Sequence, residues 1–269
     1  MKKKIHSLAA LLLVGVLVFA FAACNSGNTE AETTTTEAYS KSKTEKPAGT
    51  ADLLVYYNRL MDEVKQGKPK LSISRNQGVN DVETENKDLK ALANTLKGYM
   101  LNDKGQGSEK FGDDLKDLFP VKGQEWSSKL DSASVRYATI SELENSYVIM
   151  IYFNDEANPT FENGNITKAF NLPDFNKIRE ELKKAEKSLE VGEIGLTYTG
   201  CTIKCTVDRI EDRISSVEFA QNVKINTTVK GLNTLAAWGE NALTFKYSQT
   251  DNYTLDWVDP ATTTTAAAE

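Results

Sequence analysis

Histidine is all but missing from this chain: of 269 residues, His6 is the single one. Downstream of it no Ser-His-Asp or Cys-His relay can be assembled, and the common histidine-ligated zinc sites are excluded as well. Cysteine is nearly as scarce, with Cys24, Cys201 and Cys205 the only three. Nucleophile elbows, phosphate-binding loops and dinucleotide fingerprints are absent too. Basic charge is in deficit, with 32 Lys+Arg against 38 Asp+Glu and a formal net charge of −6. That balance argues against nucleic acid as a partner. Paired carboxylates, Ser-Lys dyads and all-oxygen metal sites survive these exclusions. Among 38 acidic residues some pair of carboxylates is inevitable, so such a pair carries no specificity, and "SSK" at Ser127–Lys129 is too ordinary to mark a dyad.

Long apolar runs are missing with one exception, Leu8–Ala23, which follows Lys2, Lys3 and Lys4 and stops at Cys24. A membrane span needs about 20 apolar residues, and this run is shorter. A basic start, an apolar middle and small residues before the break make up a secretory signal. Phe21, Ala22 and Ala23 precede Cys24, and here the sequence resembles the bacterial lipoprotein signal, with Phe21 where that pattern usually has leucine. The resemblance covers about the first tenth of the chain. It implies cleavage before Cys24 and a diacylglyceryl group on its thiol, since two acyl chains hold a protein at a bilayer where one does so only marginally. The alternatives are a plain signal cleaved elsewhere and an uncleaved anchor helix. Loss of the three signal lysines takes the charge to −9, so lipid rather than broad electrostatics would hold the protein at the membrane.

The chain divides by composition. Residues 1–23 read as the signal. Residues 24–49 read as the lipidated cysteine and a Thr/Glu/Ser/Lys-rich tether, too polar to bury anything. Residues 50–259 read as one globular domain, and 260–269 as a Thr/Ala-rich tail. Within the domain, Thr50 can cap a helix that runs to about Gln66, with Leu53, Tyr57, Leu60, Met61 and Val64 inward. A second helix is predicted from Asn86 to Leu101, a short one around Asp113–Leu118, and an amphipathic one from Pro173 to Leu189. "KLSISR" is a short strand candidate and "NQGVNDVETEN" a loop. "ASVRYATI" and "SYVIMIYF" read as a hairpin, the second strand apolar on both faces and therefore central or covered. Three long strands follow, Leu196–Ile210, Ile214–Val229 and Ala242–Trp257, with apolar residues at odd numbers in the last two. The fold class is α+β, an antiparallel meander sheet of about five strands with amphipathic helices packed on one face.

Cys201 and Cys205 fall on one face of a strand. Four extended residues span about 13 Å, whereas a disulfide needs Cα atoms about 4.4–6.8 Å apart. A turn at "TIK" could join them, but it lacks Gly, Pro, Asn and Asp, the usual turn formers, so two buried thiols are expected rather than a bridge. The loop "NDEANPTFENGN", Asn154–Asn165, is rich in oxygen ligands of the kind calcium takes. Its spacing is not that of an EF-hand, and turns select Asn, Asp and Gly for their own reasons. No metal or other cofactor is assigned. Among the aromatics, Tyr247 and Tyr253 lie on the apolar strand face and Trp238 in the loop "LAAWGEN"; these three are the candidate ligand-binding residues. The function expected is that of a non-enzymatic, lipid-anchored envelope lipoprotein, outside the cytoplasm, whose domain binds a ligand or protein partner. The alternatives are a carrier of lipid or another apolar ligand in an internal cavity, and a carboxylate-dependent hydrolase.

Overall fold

Strand signals fill the last third of the sequence, and the fold turns them into one large antiparallel sheet. The computed structural model describes residues 43–98, 108–110 and 115–257. The signal, Cys24, the tether up to residue 42 and the tail lie outside the described residues. Those described belong to one unit, Ser40–Glu269. No helix among them is long and apolar enough to cross a membrane.

In chain order the helices are α1 (Gly49–Gly67), α2 (Lys87–Leu96), α3 (Leu115–Leu118) and α4 (Asn176–Ala185). The strands are β1 (Lys70–Glu83), β2 (Ser108–Lys110), β3 (Val135–Glu142), β4 (Ser146–Phe153), β5 (Glu156–Ala157), β6 (Leu189–Val191), β7 (Gly195–Tyr198), β8 (Thr202–Asp208), β9 (Arg213–Gly231) and β10 (Glu240–Asp256). They form a 10-stranded sheet with the main order β2-β1-β10-β9-β8-β4-β3. One edge of β9 pairs with β10; the other is taken in turn by β8, β7 and β6. The sheet exceeds the five-strand expectation partly because the strand predicted at Leu196–Ile210 is broken. Gly200, at φ +58°, turns the chain between β7 and β8. The predicted hairpin is β3–β4, and β4 is central, between β3 and β8.

Odd residues of β10, from Leu243 to Leu255, point to the buried face, as do those of β9 from Val217 onward. A register shift opposite Thr206 and Val207 changes the parity of β9 between Ile214 and Val217. The helices cover this face: α1 lies on β3 and β9, and α2 on β1 and α4. Between the layers a continuous cluster runs from Leu53 and Tyr57 of α1 through Phe153, Ile178 and Phe219 to Phe245. The Phe170 ring meets Phe153 and Phe219 edge-on at 5.0 and 5.4 Å, a favoured aromatic geometry.

Several boundaries differ from the sequence reading. Thr50 does not cap α1; it lies in the first turn, and its hydroxyl accepts the Ala138 N–H at 3.4 Å. Asn86 does cap α2, accepting from the Asp88 and Leu89 N–H groups. β1 extends through the segment read as a loop, and Leu189 belongs to β6 rather than to α4. The last residues of the expected tether, from Lys43, are joined to the domain. The Lys43 N–H donates to the Arg209 carbonyl at 3.1 Å, and the Thr44 hydroxyl donates to Asp212 at 2.5 Å. The Tyr56 hydroxyl and Arg59 donate to the same carboxylate. Burial raises the Asp212 pKa, but these three donors outweigh it and hold the carboxyl below its usual range.

Cys201, just before β8, and Cys205, within it, are free, buried thiols, as expected. Burial pushes the Cys201 pKa up to about 11 and that of Cys205 higher still. Both should therefore resist a thiol reagent in the native protein at neutral pH. In denaturant two thiols titrate if Cys24 carries lipid and three if it is free, so the native titration reports on the fold and the denatured one on the anchor.

Candidate functional site

Two loops on the covered side of the sheet build an open groove of about 210 Å³. The first follows α3 and supplies Val121 and Lys122. The second joins β5 to α4 and supplies Phe161, Thr167, Phe170, Asn171 and Leu172. Phe161 is 52% exposed, where most large apolar side chains of this domain are buried. Its ring lies 6.4 Å from that of Trp126, tilted by 30°. The Lys129 ammonium stands 4.2 Å from the Trp126 ring, within cation–π range.

The first wall is held by a polar stripe on α1. Asn58, Asp62 and Lys65 recur at helical spacing and therefore share a face. Asn58 accepts from the Leu130 N–H and the Ser128 hydroxyl and donates to the Leu130 carbonyl. Asp62 accepts the Ser127 N–H at 2.7 Å. The Lys65 ammonium, 7% exposed, donates to the carbonyls of Val121, Gln124 and Trp126 at 2.6–2.9 Å. Burial presses its pKa down to about 8, against the opposing pull of Asp62 and Glu125. This stripe was not picked out in the sequence. Its signal is there: three hydrogen-bonding side chains beside the apolar face of an otherwise ordinary helix.

Turn chemistry closes the second wall. The Glu156 carboxylate accepts the N–H groups of Asn165 and Ile166 at 2.8–3.0 Å. At Gly164 a Cβ would stand 2.7 Å from the Thr160 carbonyl, so a side chain there would push the loop open. Among the described residues no cluster of His, Cys, Asp or Glu could hold a metal ion.

The walls are clipped together. The Lys129 N–H donates to the Lys168 carbonyl at 3.0 Å, and the Lys168 ammonium pairs with Asp131 at 2.9 Å. Hydrogen bonds from Lys168 and Ser134 hold the Asp131 carboxyl down, at about 2. A carboxyl depressed below its unfolded value of about 3.9 stabilises the fold above that value. The contribution is lost as pH falls through about 2. Asp131 is more than half exposed, so solvent screens the pair and the effect is local. Acidification from pH about 4 to 2 should loosen the groove, seen as a fall in the near-ultraviolet dichroism of Trp126. Asp131→Asn should show the looser signal at neutral pH and little further change in acid.

What the groove offers a ligand is specific in kind. Phe161 and Leu172 give apolar surface, over a Phe170 ring that is itself buried. The Asn171 Oδ1 accepts the Lys122 N–H at 2.6 Å, which leaves the Asn171 amide nitrogen and the Lys122 ammonium without partners among the described residues. An apolar wall beside amide and ammonium donors suits a ring that has one apolar face and oxygens at its edge.

The sequence-nominated aromatics lie elsewhere. Tyr247 and Tyr253 sit on the inner face of β10, at either end of a buried polar belt, and the fold assigns them to it. Arg75 of β1 clasps Asp251 of β10 through Nε and Nη2 at 2.7 and 3.0 Å. Gln249 donates to the same carboxylate at 2.7 Å, and the Tyr247 hydroxyl bonds Gln249 at 2.7 Å. Tyr253 donates to the Leu118 carbonyl at 3.3 Å. Gln221 of β9 extends the belt and donates to the Asn171 carbonyl at 3.2 Å, which joins the belt to the groove. The Gln221 Oε1, fully buried, has no partner among the described residues. Trp238 lies apart from both, in the 3-10 turn between β9 and β10, half-buried against the core. Comparison with protein-family models, with curated proteins and with solved structures finds no match to this chain.

Proposed function

We propose that this protein is a lipid-anchored binding module of the cell envelope. Cys24 holds it at the outer face of the membrane, and the groove beside Phe161 takes a sugar-like ring without transforming it. The observation that carries the ligand reading is Phe161, half-exposed beside Trp126 in a domain that buries most of its aromatics. Two observations support binding at the surface over carriage in an internal cavity. Among the described residues a continuous cluster of buried side chains lies between helices and sheet, and the apolar groove opens outward. The lack of histidine beyond His6 supports the non-enzymatic reading.

The test is a titration of the full chain with a panel of envelope-type oligosaccharides, beginning with N-acetylglucosamine oligomers and read by tryptophan fluorescence. A saturable shift is expected. Trp126→Phe should abolish the optical signal, and Phe161→Ala should weaken binding at least about tenfold, the scale of losing one aromatic anchor. If no sugar of the panel gives a saturable change at millimolar concentration, the ligand reading is wrong.

A further inference from the structure

The described chain begins at the place where it is pinned to the β8–β9 turn. Lys43 bonds Arg209 and Thr44 bonds Asp212, so the segment leading back to Cys24 leaves the domain at this end. The residues between Cys24 and Lys43 lie outside the described residues, and a polar tether of their composition would by itself leave the orientation of the domain open.

The same end carries exposed apolar side chains on neighbouring turns. Leu143, in the β3–β4 turn, is 55% exposed, and Ile210, in the β8–β9 turn, is 38% exposed. Hydrogen bonds hold the two turns side by side: the Arg209 N–H donates to the Asn145 carbonyl, and the Arg209 guanidinium to the Leu143 carbonyl and to Glu142. Of the five exposed large apolar residues among those described, two therefore sit together on the turns beside Lys43 and Thr44. Single exposed apolar residues need no explanation, but a group held rigidly on adjoining turns does.

We infer that this end docks on the bilayer that holds the Cys24 lipid, with Leu143 and Ile210 entering the interface. The inference rests on the lipid-anchor reading above. Glu144 and Glu211 flank the two tips, so the contact does not depend on anionic lipid, and apolar insertion is its basis. Docking fixes what the tether leaves free: the β9–β10 turn at the other end of the sheet then points away from the membrane.

The native thiols make a clean test. Cys201 and Cys205 are buried, and Cys24 is blocked if lipidated. A Glu144→Cys substitution in the full chain then takes an environment-sensitive thiol dye at that one site. In phosphatidylcholine vesicles the dye should shift to the blue and lose quenching by iodide. The same dye at Ala237→Cys, in the β9–β10 turn, should stay quenched. Adding Leu143→Asn and Ile210→Asn to the Glu144→Cys protein should restore quenching, while added phosphatidylglycerol should leave the shift unchanged. Intact mass separates the two ways of failing. A lipidated Cys24 with equal quenching at both positions overturns the docking alone. An unmodified Cys24 overturns the anchor, and the docking with it.

Discussion

Asp251→Ala unfolds at a much lower urea concentration than the parent, with a loss of about 3 kcal/mol and an unchanged denaturant slope. The carboxylate is 4% exposed and accepts from Arg75 and from Gln249. Its removal leaves a guanidinium and an amide without their acceptor inside the sheet face, and breaking a buried pair costs about 3–5 kcal/mol. The lower end applies because the Arg75 side chain keeps 31% of its exposure. Replacing both partners, Arg75→Met with Asp251→Leu, should recover most of the loss, since the pair also carries a desolvation cost that apolar side chains do not. Full loss in the double variant would mean that the belt stabilises the fold by something other than pairing. Arg75, Asp251 and Gln249 sit in directly opposed registers, Arg75 against Asp251 and Gln77 against Gln249. A slip by one residue would put every one of these groups out of reach, so the belt also specifies how β1 meets β10.

Phe170→Ala has the second large effect, about 3–5 kcal/mol, the usual scale for a buried phenylalanine. The ring is 2% exposed and lies between Phe153 and Phe219, while it also lines the groove. The loss is felt twice: a void opens in the core, and the groove loses the buried ring that lies beneath it. Thermal unfolding measures the first. Sugar binding, at a temperature where the variant is still folded, measures the second. Phe170→Leu separates them, because it restores much of the packing and leaves the groove without its aromatic ring.

The sheet was largely legible because one-sided burial imposes a two-residue period, and β9 and β10 carry it for most of their length. Gln249 and Asp251 interrupt the apolar pattern of β10 without changing its parity, and they face inward only because Arg75 and Gln77 arrive from a strand far away in sequence. β1 was read short for a related reason. Asn76, Gly78, Asn80 and Asp81 favour turns in isolation, and only the long partner strand β10 makes them extended. α4 ends early because Leu189, which fits its helical spacing, pairs with Gly231 of β9. The groove was hardly legible at all. It depends on two loops meeting, and loop meetings leave no periodic trace. In the sequence, Phe161 is one residue of the turn-rich segment Asn154–Asn165, and nothing there links it to Trp126. Tyr247 and Tyr253 drew attention because aromatics suggest binding, whereas their hydroxyls serve the belt and the Leu118 carbonyl.

The clasp at Lys43 and Thr44 has a mechanical consequence. On the proposed reading of a lipid-anchored binding module, a pull between ligand and anchor would enter the domain through these two residues. The strap from Lys43 to Ala48 is held by two named bonds, to Arg209 and Asp212, whereas β9 and β10 are laced together along their whole length. Under such a pull the strap would peel away before the sheet, and the released residues would add length between anchor and sheet while β9 and β10 stay paired.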